Sequence, residues 1–257
     1  MWKVIRITAL LLLLFAVATT TWIDRARTTS WKETLWVGIF PLNADGSAVA
    51  QRYIDGLTVE DFATIERFFA SEATRYGVVE PKPVRIELYP SPRGTPPVLN
   101  PGSGRLAVAW WSLRTRWFAH GAADVPGRAP SHIRVFVLYH DPAISERVPH
   151  SLGLQKGLIG VVHAFADRRM QGQNNIVITH ETLHTVGATD KYNLDNGEPI
   201  YPDGYAEPER SPRYPQPKAE IMAGQLALSA TEHEMPDGLP EVVVGPRTAT
   251  EIGWIHP

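Results

Sequence analysis

The stretch ITHETLHTVGATDKYN, residues 178–193, sets two histidines four positions apart, a glutamate beside the first, a glycine at 187 and an aspartate at 190. On an α-helix, positions i and i+4 share a face one turn apart, so His180 and His184 can direct imidazole nitrogens at one ion. Glu181 stands next to His180, within reach of a water on that ion without being a ligand. Two histidines leave zinc short of its usual three protein ligands plus water. Gly187 can take the left-handed conformation that ends a helix and turns the chain back. The returning chain carries Asp190, an oxygen donor of suitable reach. The spacing H-E-x-x-H-x-x-G-x-x-D thus reads as metal ligands His180, His184 and Asp190, with Glu181 as the catalytic carboxylate. Two readings stay open at this level. Asp190 can instead be a turn carboxylate paired with Lys191, and Glu220, Glu207 or His233 can then supply the third ligand.

Composition narrows the chemistry. The chain has 257 residues, a formal net charge of −2 and no cysteine. Disulfides, thiolate metal sites and cysteine nucleophiles are therefore excluded, and the charge balance gives no footprint for nucleic acid. Lys3 and Arg6 precede an apolar run from Ile7 to about Ala18, weakly continued to Ile23. This is the form of an export signal, with Ala16 and Ala18 offering a cleavage site. An uncleaved anchor, attached to a membrane through residues 7–23 and flanked by Trp2 and Trp22, is the competing reading. Either places the folded part outside the cytoplasm, in a periplasmic or extracellular setting. The expected organisation is 1–23 signal peptide or anchor, 24–34 linker, and one α+β domain over 35–257.

Within that domain, LWVGIFPL (35–42), VRIELYP, HIRVFVLYH and LIGVVHAFAD read as strands. The stretch from Thr58 reads as a helix with a capping pair Thr58/Asp61 and an end at Gly77. RLAVAWWSLRTRWFAHG reads as a helix with an apolar face and basic residues opposite. A short strand and a terminal helix from about Pro246 close the chain. Between them, residues 193–217 are rich in proline, glycine and tyrosine and show no periodicity, which suggests a long irregular loop. Its Asp195, Asn196, Glu198 and Asp203 are conceivable calcium ligands, though solvated turns explain them as well. Tyr192, Tyr201, Tyr205 and Tyr214 crowd the same region, and one of them can serve as an oxyanion donor. His163 reads as an ordinary strand histidine.

Residues 180–190 resemble the extended motif of the metzincin metallopeptidases, in the variant with Asp as last ligand that is found in the snapalysins. The resemblance implies a twisted mixed sheet over the active-site helix, an irregular C-terminal part and a methionine in a tight turn beneath the metal, for which Met222 in EIMAG is suitably placed. It also implies one catalytic zinc ion, a peptide or protein substrate, and GVVHAFAD as the edge strand that pairs with an extended peptide. The sequence departs from the family by lacking a tyrosine two residues after Met222. Two other functions share these residues: a zinc hydrolase of a non-protein amide such as cell-wall material, and a non-catalytic, metal-stabilised binding domain.

Overall fold

The computed structural model describes residues 2, 3, 5–8, 10–12, 15, 19, 28–99, 102–123, 125–155 and 157–255. The chain forms an α+β body around a five-stranded mixed sheet. Strands β1 (Leu35–Asn43), β2 (Val84–Leu88), β3 (Ile133–His140), β4 (Leu152–Leu154) and β5 (Ile159–Phe165) lie in the order β2-β1-β3-β5-β4. The first four in that order run parallel, and β4 pairs antiparallel to β5 at the edge. The strand expected at the edge, GVVHAFAD (160–167), therefore falls in interior β5. The edge belongs to a three-residue strand whose Leu-Gly-Leu sequence is too short to show a period.

Strand alternation sends two sets of side chains to opposite faces. Val37, Ile39, Val135, Val137 and Val162 meet helices α1 (Ala48–Asp55), α2 (Ala63–Arg75) and α4 (Gln171–Thr185) in the larger core. Phe40, Leu42, Phe136, Leu138 and Val161 meet helix α3 (Arg105–Ala123) through Phe118, Ala119 and Ala122. Covering both faces explains why the central strands read as nearly continuous apolar runs. The anticipated pair at Thr58 forms, with the Asp61 carboxylate accepting from the Thr58 amide at 2.8 Å. Helix α1, capped by Ser47 through the Ala50 amide, was not legible as a separate element.

Two expectations need correction. Trp31, placed in the presumed linker 24–34, is buried against Phe69 and Trp254, and its indole N–H donates to the Ile252 carbonyl at 2.7 Å. The packed body thus begins before Leu35. Helix α3 carries apolar residues on two sides, not one: Trp111 and Ala119 are buried, whereas Leu106, Trp110, Leu113 and Trp117 are exposed. About half of the expected signal or anchor, 1–23, lies outside the described residues. Those described in it are helical, with Ile7, Leu10, Leu11, Leu12 and Phe15 exposed. Among the described residues no helix is long and apolar enough to cross a membrane.

After α4 the chain is mostly irregular. Strands β6 (Ala219–Glu220) and β9 (Val242–Val243) pair parallel, β7 (Leu226–Ala227) and β8 (His233–Glu234) pair antiparallel, and helix α5 (Pro246–Glu251) follows.

Candidate metal centre

Helix α4 is built from residues with little helical preference: Gly172, two asparagines, and several β-branched residues. Tertiary contacts hold it instead. Asn174 clasps the end of β5, donating to the Phe165 carbonyl at 2.9 Å and accepting from the Phe165 amide at 3.2 Å. Asn175 donates to the Asp61 carbonyl and to Thr64. The hydroxyls of Thr179 and Thr182 bond back to carbonyls four residues earlier, which leaves no buried hydroxyl unsatisfied there. The helix is thereby locked against the sheet in both position and rotation.

Its polar side presents His180 and His184, with ring centroids 4.7 Å apart and ring planes nearly perpendicular. The helix ends at Thr185 with Val186 as its cap, and Gly187 takes a φ of 114°, a left-handed backbone that L side chains rarely adopt. The turn brings Asp190 back over the helix. Its Oδ1 lies 3.1 Å from Nε2 of His180 and 3.0 Å from Nε2 of His184. One donor atom from each of these three residues lies within 4.8 Å of the other two, and no other such group exists among the described residues.

The far side of each imidazole fixes which nitrogen is available. Nδ1 of His180 donates to the Ile221 carbonyl at 2.9 Å, and Nδ1 of His184 donates to the Ala188 carbonyl at 2.8 Å. A carbonyl can only accept, so both Nδ1 atoms carry hydrogen and both Nε2 atoms turn toward Asp190. Two Nε2 lone pairs around a carboxylate oxygen are mutually repulsive unless positive charge lies among them. Protons or a metal ion can supply it. Backbone carbonyls in this position are the kind of support that orients histidines in metal sites. Burial would raise the Asp190 carboxyl, yet the two imidazoles outweigh it and hold the group far below the usual carboxylate range. For His180, burial works against protonation, but Asp190, Glu181 and the Ile221 carbonyl together raise its pKa. The donor set of two imidazoles and one carboxylate suits a divalent transition metal ion.

Glu181 is buried, and its Oε2 has no hydrogen-bond partner. Burial pushes its pKa up, against the pull of His180 and His184. Such an orphaned carboxylate oxygen is costly unless a ligand or water completes it. Glu181 and His180 line a cleft of about 330 Å³ together with His163, Ser151, Tyr192 and Met235.

The open alternatives resolve against the structure. Lys191 pairs with Glu251 at 2.8 Å and with Thr189, not with Asp190. Glu220 is fully buried and knits the following turn: its carboxylate accepts from the amides of Met222, Ala223 and Gly245 and from the Thr248 hydroxyl. Glu207 faces Arg210, and neither it nor His233 joins the cluster. Met222 sits buried in the turn that supplies the Ile221 carbonyl to His180, and Gly224 closes that turn with a φ of 68°. The carboxylates of Asp195, Glu198 and Asp203 do not converge into a metal-holding group. Asn193 and Asn196 instead accept from the Asp195 and Glu198 amides in tight turns. Of the four tyrosines, only Tyr192 reaches the centre, its ring 6.4 Å from that of His180. Tyr205 and Tyr214 bond to each other at 3.1 Å, and Tyr201 packs on Tyr205.

Two features of the site had no visible signal in the sequence, and a third could not be singled out. Gly153 of β4 lies flush on α4, where a side chain would meet the Glu181 carbonyl and the His184 Cβ. His163 faces the cleft and bonds through Nδ1 to Nε2 of His140 at 2.9 Å. Burial, then the neighbouring His140, lowers the pKa of His163 to about 4. Tyr192 was one of four equivalent candidates. The pairing of His140 with His163 depends on the β3–β5 register, which no local pattern encodes. No family model matches the sequence, and no curated protein matches it.

Proposed function

We propose that the chain is a zinc-dependent peptidase of metzincin-like fold, acting outside the cytoplasm after export or while anchored through its N-terminal apolar run. The observation that carries this reading is the convergence of His180, His184 and Asp190 beside a buried, partnerless Glu181 oxygen. A purely structural metal site has no use for that carboxylate. The mixed sheet over α4, the return at Gly187 and the Met222 turn beneath His180 support the metzincin-like assignment.

His180, His184 and Asp190 would hold the ion, which when bound supplies Lewis acidity toward a water and a substrate carbonyl. The chain's own residues do the rest. The Ile221 and Ala188 carbonyls hold both imidazoles with Nε2 facing inward. Glu181 takes a proton from a water in the cleft, forming an O–H bond at its free oxygen, and returns it to the leaving amine. Its raised pKa suits both directions of that transfer. Tyr192 stands beside His180 as the candidate donor to the developing oxyanion.

Edge strand β4 favours a peptide over another amide. It pairs with β5 on one side only, so its other edge can accept an extended chain in the manner of strand addition. Ser151, immediately before it, already lines the cleft. The test is Glu181→Gln in the zinc-loaded protein, assayed against a mixed peptide library. Metal content should hold while hydrolysis falls by roughly 10²–10⁴-fold, as for loss of a positioned general base. Unchanged turnover with zinc bound would remove Glu181 from the chemistry.

A further inference from the structure

Helix α3 carries two apolar stripes, and only one is covered. Trp111, Thr115 and Ala119 face the sheet and are buried. Because successive helical positions differ by about 100°, Leu106, Trp110, Leu113 and Trp117 fall within about 60° of one another on the opposite side. These four are 88%, 62%, 55% and 82% exposed. Two tryptophans and two leucines in one outward row form a patch that water solvates poorly, and such rows on soluble domains mark contact surfaces.

Along α3 and the loop that leads into it, the charge is of one sign. Between Pro90 and Ala123 the charged residues are Arg93, Arg105, Arg114 and Arg116, with no Asp or Glu. Arg93 and Arg114 are exposed. Tryptophan with flanking arginine is the composition of a helix lying in a lipid–water interface, where the indoles enter the headgroup region and guanidinium groups meet phosphates. The N-terminus adds a second, separate indication. Lys3 and Arg6 precede exposed Ile7, Leu10, Leu11, Leu12 and Phe15, a segment suited to bringing the same chain to a bilayer. Helix α3 also packs on the sheet face opposite α4. A surface under α3 would therefore leave the cleft at His180 and Glu181 clear.

We propose that the Leu106–Trp110–Leu113–Trp117 face of α3, with exposed Arg93 and Arg114, docks on an anionic lipid surface. The metal-site reading is not needed for this. Apolar area supplies the insertion, and each arginine near an anionic surface changes partitioning by roughly fivefold.

The absence of native cysteine makes the test direct. The full chain carrying Leu113→Cys is labelled with an environment-sensitive fluorophore and mixed with vesicles of zwitterionic lipid, with or without anionic lipid. Val79→Cys, at another exposed apolar position, is the reference. In anionic vesicles the label at 113 should shift to the blue and be quenched by lipid-borne quenchers. The response should fall several-fold in zwitterionic vesicles or high salt, and position 79 should stay aqueous. Adding Trp110→Ser and Trp117→Ser should return position 113 to water while the far-UV spectrum stays unchanged. The proposal is overturned if position 113 remains aqueous on anionic vesicles, or responds equally to both lipids and in high salt. It is also overturned if position 113 is shielded without lipid in a concentration-dependent way, which would make the face a contact between two copies.

Discussion

Gly153 of β4 and Gly160 of β5 face each other across the antiparallel pair, yet alanine should be tolerated at only one of them. A Cβ on Gly153 would stand 2.4 Å from the His184 Cβ, 2.7 Å from the Glu181 carbonyl oxygen and 3.1 Å from Glu181 Oε2. The first two are fixed by helix geometry and cannot rotate away. Carbon atoms need about 3.5 Å, so β4 and α4 would have to part by about 1 Å. Overpacking of this kind costs about 1–3 kcal/mol, or a drop in melting temperature of roughly 2–12 °C for a chain of this size. At Gly160 the nearest atoms to a new Cβ are the Val135 methyls at 3.4 and 3.5 Å and the Glu181 Cβ at 3.8 Å. That space is adequate, and Gly160→Ala should stay within about 1 kcal/mol of the parent. Thermal unfolding of both variants in the presence of a chelator isolates the packing effect from metal binding. Zinc affinity measured separately should fall for Gly153→Ala, because the strain enters at His184 and Glu181. Equal melting of Gly153→Ala and the parent, or a larger loss at Gly160, would refute the contact between edge strand and motif helix.

Gly187→Ala puts a side chain where φ is 114° and the Glu251 carbonyl is 3.2 Å away. It should cost about 1–3 kcal/mol and weaken zinc binding through Asp190, both readable by melting with and without metal. His163 has its pKa lowered to about 4 by burial and His140. The unfolded chain, titrating near 6.5, then binds more protons between those values, so this histidine's contribution is complete above pH 6.5 and is lost as pH falls toward 4. His163→Gln should flatten the pH dependence of metal-free stability across that window, and an unchanged slope would count against a neutral, buried His163.

Much of the scaffold was legible because its signals are local. Strands 35–43 and 133–140 are apolar and β-branched, and the Thr58/Asp61 pair marks a helix start within four residues. The His180–His184–Asp190 cluster was legible for the same reason: the helical repeat sets the spacing of His180 and His184, and one glycine turn returns Asp190. What failed depends on distant partners. Glu220 could stand as a rival ligand until Gly245 and Thr248 were seen to claim its carboxylate. The family resemblance pointed to GVVHAFAD as the edge strand, whereas the true edge is the short Leu152–Leu154, which carries no local signal. Trp31 looked like linker because its partners, Phe69 and Trp254, lie far along the chain.

A zinc titration of the parent chain and of Asp190→Ala, monitored with a competing chromophoric chelator, tests the proposed centre most directly. The three-ligand cluster predicts about one tight site per parent chain and a loss of affinity of at least roughly tenfold in Asp190→Ala. Because Lys191 is already paired with Glu251 and Thr189, no freed lysine should complicate the result. Equal zinc affinity in the two proteins, or none in the parent, would contradict a metal centre formed by His180, His184 and Asp190.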